Sequence, residues 1–366
     1  VNNPLRISKS IIRFALLACL IAFTLAAAGV TTADSLLLKE QGSFFVGGRT
    51  IFTDALTGSA NGFLGTGVNN GHITVDQMYV QYQIPEGADM HVPVVMVHGC
   101  CLSSKSYETT PDGRMGWNEY FLRKQRAVYL PDQVSRARSG FDATILNEIK
   151  LGKRPASEMP EIRTATHEIA WVVFRFGPTM GTAFSNEQFP VEAFDEFGKQ
   201  VIPDLNAVLP AVNPTWTNMS GLAMKLKGAI LMGHSESGFY PEQAALINPT
   251  DIKGIITIET VCPALSAEQV SNLAKIPTLV VFGDHIEDVT AYPNLWKERF
   301  DSCAKFVQQV NAAGGDATMM HLPKYGQFGN SHMLMQDKNN LQVADLILKW
   351  IDEHVENKQK HPSQHS

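Results

Sequence analysis

The run "ILMGHSESG" carries an apolar strand straight into Gly233-His234-Ser235-Glu236-Ser237-Gly238, and the helical pattern "FYPEQAALI" follows. A serine held on such a sharp strand-to-helix turn exposes its hydroxyl and is placed to act as a nucleophile. Small residues two before and two after it let the chain bend without collision. Ser235 has Gly233 and Ser237 in those places, whereas Ser237 would have Ser235 and the bulky Phe239. Ser235 is therefore the expected nucleophile, although Ser237 replaces the usual final glycine and Gly238 comes one place late. A serine nucleophile needs a base, and the base needs an acid to orient it. On this kind of sheet the chain order is Ser, acid, His. His354, His361 and His365 fall in the last helix or the tail, His285 comes too early, and His321 sits within the strand "TMMHLP". His332, in the loop "YGQFGNSHMLMQD" past the last strand, is free to reach the sheet's C-terminal edge and is the expected base. For the acid the residues leave two choices. Asp284, Glu287 and Asp288 cluster after "LVVFG"; Glu259 ends "GIITIE", where a buried carboxylate must find a partner such as His332.

The elements that must hold these groups are legible as short apolar runs ending in Gly, Pro or a polar residue. They are "VPVVMVHG", "RAVYLPD", "KGAILMGHS", "IKGIITIET", "IPTLVVFGD" and "ATMMHLP". An earlier strand reads from alternation of Met78, Val80, Tyr82 and Ile84. Helical patterns lie between most of the runs. One is "SAEQVSNLAK", with Ser266 and Gln269 spaced as a capping box, and another spans Asn340 to about Val355. Alternating strands and helices predict one α/β domain, a mostly parallel central sheet with helices on both faces. About ninety residues separate the strand ending at Asp132 from the one starting at Gly228. Connections that long are normally structured and often cover a site, so a partial cap insertion is expected over about 135–225. The alternative is an extended connection with no part in substrate choice.

Arg6, Lys9 and Arg13 precede an almost unbroken apolar run from Phe14 to Val30, and small residues end at Ala33. That pattern predicts a secretory signal peptide over 1–33, and so no stable membrane anchor after cleavage and a periplasmic or secreted domain over 34–355. Residues 356–366 read as a polar tail. The chain has 30 Lys+Arg and 36 Asp+Glu; removing 1–33 takes three basic and no acidic side chains, leaving 27 against 36. With no basic stripe to track phosphates, nucleic acid is excluded as a partner. Cys100, Cys101, Cys262 and Cys303 remain after Cys19 leaves with the signal. An even number in an oxidising compartment predicts two disulfides, with three connectivities open. The spacing excludes a CxxC redox site, the ligands for zinc are not clustered, and no cofactor or metal is expected.

The chain resembles the α/β-hydrolases, and within them a group of bacterial secreted carboxylesterases called esterase-713-like. The resemblance runs from about "FFVGG" to the last helix. It rests on "HGCC" followed by "PDGRMGWNEYFLRK", on "PDQVSRARS", on "GHSESG", on "ITIETVCP" and on "GNSHMLMQD". It implies an α/β-hydrolase fold and a Ser235–His332–Glu259 triad, with Glu259 rather than the Asp284 cluster as the acid. In that fold one oxyanion N–H comes from the loop after the strand "VVMVHG" and one from the residue after the nucleophile, which here are Cys100 and Glu236. The resemblance also favours a disulfide between the adjacent Cys100 and Cys101, which would stiffen that N–H and leave Cys262 to pair with Cys303. Adjacent Cα atoms are closer than disulfides ordinarily allow, so a cis or distorted peptide is expected there. The function so implied is hydrolysis of a small-molecule carboxylic ester through an acyl-enzyme. Lactonase, amidase and a non-catalytic binding protein of the same fold are the alternatives, and a homodimer is compatible with the sequence.

Overall fold

Runs of four to seven residues that are apolar throughout can only be strands covered on both faces, and they assemble accordingly. The structure, a computed structural model, describes residues 35–357. The expected signal peptide, and the tail from 358 on, lie outside the described residues. The strands are β1 (Leu38–Thr53), β2 (Gly71–Pro85), β3 (Val94–Val97), β4 (Val128–Pro131), β5 (Ala229–His234), β6 (Ile252–Ile258), β7 (Thr278–Phe282) and β8 (Ala317–His321). They form one eight-stranded sheet in the order β1-β2-β4-β3-β5-β6-β7-β8. From β4 to β8 the neighbours are parallel, while β1 and β2 form an antiparallel hairpin whose β2 pairs antiparallel with β4. Every residue of β3, β4, β5 and β7 is buried, as expected for parallel strands sandwiched between helices.

β1 has no counterpart in the sequence reading. Gly47 and Gly48, both at positive φ, interrupt its pattern, and Phe45 and Phe52 face solvent on this edge strand. The capping box is formed: Gln269 N–H donates to Ser266 Oγ at 3.2 Å, and Ser266 N–H donates to the Gln269 side chain at 2.9 Å.

The long interval between β4 and β5 holds helices Thr144–Lys150, His167–Val173, Phe194–Gly198 and Pro214–Leu226, joined by irregular segments that carry only short 3-10 turns. Its first part has a small core of its own, in which Trp171, Phe176, Phe189, Phe194 and Phe197 pack largely edge to face. Its last helix behaves differently. Met219, Leu222 and Ala223 are buried in the core that covers the sheet, so this helix belongs with the sheet layer. At the C-terminus, helix Asn340–Ile351 continues through a π turn, Asp352–Glu356. Glu356, expected in a free tail, is buried and pairs with Arg126 and His91, so the packed chain extends through it.

Candidate active site

Ser235 follows the last residue of β5 and has φ +58°, a left-handed conformation that a non-glycine residue adopts only when its surroundings enforce it. The surroundings are tight. A Cβ on Gly233 would lie 2.0 Å from the Ser237 carbonyl oxygen, and one on Gly238 would lie 2.4 Å from Thr260 Cβ. A Cβ on Gly99 would stand 2.8 Å from Ser235 Cβ, so the loop after β3 can reach the serine only as glycine. The displaced Gly238 is therefore required by its packing against Thr260. Ser237 is fully buried: it donates to the Val97 carbonyl at 2.9 Å and accepts from His234 N–H at 3.1 Å. Ser235, by contrast, lines a cavity of about 490 Å³ together with Cys100, Cys101, Trp296, Arg299 and His332.

His332 is buried, with its backbone N–H bonded to the Phe174 carbonyl and its ring against Phe174, His234 and Trp296. Its Nδ1 stands 3.3 Å from Glu259 Oε2. Burial pushes its pKa down to about 4, against the opposing pull of Glu259, so the ring is neutral at pH 7. Among the described residues no direct hydrogen bond joins Ser235 to His332, and such contacts often tighten only once substrate is bound.

Glu259 follows the last residue of β6 and has φ +53°, with no solvent exposure. Burial alone would raise its pKa. Arg175 and His332 outweigh that and hold it at about 2, a fixed negative charge. Arg175 makes two parallel hydrogen bonds to it, of 2.8 and 2.6 Å, and Gly283 N–H donates a third. Arg175, itself buried and at φ +61°, also donates to the Asp284 carbonyl and lies 4.5 Å over the Trp296 ring. The rival acids are occupied elsewhere. The Asp284 carboxylate accepts from the N–H groups of His285 and Gly329, and Asp288 pairs with His285. Asp284, Glu287, Asp288, His285 and His321 line a separate cavity.

The loop after β3 is tied down from below. His98 Nδ1–H donates to the Gly99 carbonyl, and its Nε2 accepts from Gln133 N–H. Asp132 accepts from the N–H and hydroxyl of Ser104 and from Arg138. Arg136, buried between Ser135 and Ala137 at positive φ, pairs with Asp204 at 2.7 Å and Glu236 at 3.2 Å. Asp204 in turn accepts from the Cys100 thiol at 3.1 Å. The side chains of both expected oxyanion donors, Cys100 and Glu236, thus meet one buried ion pair. Burial lifts the Glu236 pKa to about 7 with help from Asp204, against Arg136; burial also raises Asp204, but Arg136 together with the hydrogen bonds from Asn206 N–H, Glu236 and Cys100 holds it below the usual range.

Cys262 and Cys303 form a disulfide that joins the loop after Glu259 to helix Leu295–Ala312. The bond expected between Cys100 and Cys101 is not formed: both are thiols, with sulfurs 2.9 Å apart against about 2.05 Å for a disulfide. Nor is the cis peptide present, since no described peptide bond is cis. Across a trans peptide the Cα atoms stay about 3.8 Å apart, short of ordinary disulfide geometry. Strain is present instead as φ +59° at Cys101. The shared hydrogen bond with Cys101 and burial push the Cys100 thiol up, and the same bond lowers Cys101. Cys100, Cys101 and Asp204 bring possible metal-ligand atoms within 4.8 Å of one another, a grouping hidden in the sequence, but Arg136 already supplies the positive charge there.

The fold has a solved counterpart. A bacterial esterase known at atomic resolution is 50% identical, with a TM-score of 0.83 over 89% of this chain and 99% of its own. The chain belongs to the α/β-hydrolase esterases. A probable secreted lipase, phiG, of a fungal species (strain ATCC 74256) is 25% identical over 326 residues, covering 75% of this chain and 85% of its own. No family model matches the chain. Within this esterase scaffold the sequence reading missed Arg175, Arg136 and Asp204. All three lie in the interval between β4 and β5, and their partners are remote in sequence. Arg136 sits in "PDQVSRARS", a motif on which the resemblance rests, without a chemical role being given to it.

Proposed function

We propose that this chain hydrolyses carboxylic esters through a Ser235–His332–Glu259 triad. The observation that carries the reading is that Ser235, on a left-handed turn, and His332, backed by Glu259, open on one cavity. Neutral His332 takes the Ser235 proton as the hydroxyl oxygen attacks the ester carbonyl. The N–H groups of Cys100 and Glu236 receive the charge that develops on the carbonyl oxygen. Glu259 holds the Nδ1–H tautomer and stabilises the imidazolium. His332 then returns the proton to the leaving alcohol. Water attacks the acyl-enzyme by the same route and releases the acid. Export of the domain is part of the proposal, supported by the secreted lipase relative and by the Cys262–Cys303 disulfide. Purified Ser235→Ala should keep its fold and lose hydrolysis of a 4-nitrophenyl ester to near background. Retention of activity by Ser235→Ala together with its loss in Ser237→Ala would move the nucleophile to Ser237.

A further inference from the structure

The cavity that holds Ser235 and His332 contains a cation with no counter-ion. Arg299, on helix Leu295–Ala312, lines it beside Trp296 and His332. Its guanidinium carbon lies 4.7 Å over the Trp296 ring, to which Arg175 also contributes a cation, at 4.5 Å. Arg175 is neutralised by its two bonds to Glu259. Among the described residues the Arg299 side chain makes no ion pair and no hydrogen bond; it lies over the Trp296 ring, and the buried Glu259, already held by Arg175, acts on it only through space. The other charged residues of the cavity wall, Glu161 and Arg163, are paired with each other at 2.9 Å and are well exposed. Deeper, Arg136 is shared between the carboxylates of Asp204 and Glu236. Among the charged side chains that line the cavity, Arg299 is therefore the one without an ion-pair partner, and it stands next to His332.

A half-buried guanidinium that no carboxylate satisfies is costly, because charged groups leave water cheaply only when paired. Stacking on an aromatic ring holds its plane without using its N–H donors. Those donors, arranged as a fork, match a carboxylate. From this we infer that the substrate is an anionic ester, one bearing a free carboxylate that Arg299 binds while the ester group lies at Ser235. The inference rests on the serine-esterase reading and narrows its substrate class. An alternative in which Arg299 merely braces Trp296 makes a different prediction, since it would affect every ester alike.

The test compares monomethyl esters of C4 to C8 dicarboxylic acids with methyl esters of the matching monocarboxylic acids. A second arm puts the charge on the alcohol half, comparing 4-acetoxybutyrate with butyl acetate. A third arm offers a phosphate in place of the carboxylate, as acetylated glycerol phosphate. For at least one charged arm the wild-type enzyme should show kcat/KM at least tenfold above the neutral ester, an advantage that shrinks as salt is raised. Arg299→Gln should remove that advantage at least tenfold while changing the neutral ester by less than about twofold, and Arg299→Lys should restore part of it. A preference for the phosphate arm alone would overturn the carboxylate assignment. No charged preference in any arm, or an equal loss on charged and neutral esters in Arg299→Gln, would overturn the proposal while leaving esterase activity on neutral esters intact. If neither kind of ester is turned over, calorimetry of the same hemiesters with wild type and Arg299→Gln decides it. Binding that depends on Arg299 upholds the anion site, and no such difference rejects it.

Discussion

Replacing Arg175 by Met tests how the acid of the triad is kept ionised. In the native site Glu259 is fully buried, and its charge is held by the two Arg175 bonds of 2.8 and 2.6 Å and by Gly283 N–H. Arg175→Met leaves the carboxylate buried against a neutral histidine. Breaking a buried pair by removing one partner costs about 3–5 kcal/mol. For a domain of this size that corresponds to a fall in Tm of about 10 °C. The kinetic effect has a definite sign. In the wild type the acid limb of kcat/KM follows His332, near pH 4, because Glu259 is ionised down to about 2. Without Arg175, burial lifts Glu259 above the usual carboxylate range, and His332 also rises because a neighbouring cation has gone. Both shifts move the acid limb to higher pH by at least one unit. The loss of kcat should accordingly be larger at pH 6 than at pH 9, with KM little changed. The double variant Arg175→Met with Glu259→Gln removes the stranded charge. It should recover much of the lost stability but none of the activity. The assays are thermal unfolding and pH–rate profiles on a 4-nitrophenyl ester. An acid limb unmoved in Arg175→Met, or a double variant no more stable than the single one, would show that Arg175 does not keep Glu259 ionised.

Two further substitutions probe neighbouring parts of the site. Glu259→Gln should lower kcat by at least a hundredfold, whereas Asp284→Asn, whose carboxylate accepts only loop N–H groups, should stay within about fivefold of wild type; steady-state kinetics would show a reversed order if the acid were Asp284. Asp204→Asn frees the Cys100 thiol and leaves Arg136 to Glu236 alone, so kcat should fall by about tenfold with KM nearly constant, a fraction of the loss expected from removing an oxyanion donor outright; unchanged kcat would show that the buried ion pair does not hold the oxyanion loops.

Local features were legible in the sequence because local contacts create them. β3, β5 and β7 are continuous apolar runs because both their faces are covered, and the Ser266–Gln269 cap spans a single turn. The Ser235 turn could be read for the same reason: its steric demands fall on Gly233, two residues away, and on Gly238. What decides the chemistry around it acts over long range. Asp284 and Glu259 are equivalent as residues, and the difference between them is Arg175, 84 positions before Glu259 in a segment that reads only as aromatic and apolar. Asp204 and Arg136 likewise gain meaning only when the chain brings them under Cys100 and Glu236. β1 escaped notice because it is an edge strand with few buried positions and a Gly-Gly interruption. Adjacent cysteines suggested a bond, but both are thiols here, with sulfurs 2.9 Å apart.

Covalent trapping decides whether Ser235 is the nucleophile of an ester hydrolase. The protein is incubated with a fluorophosphonate until ester hydrolysis stops, then its intact mass is measured and the modified peptide is sequenced. One adduct per chain is expected, on Ser235, forming in step with the loss of activity. An adduct on Ser237 or another residue, or full hydrolysis by a protein that carries no adduct, would contradict that role.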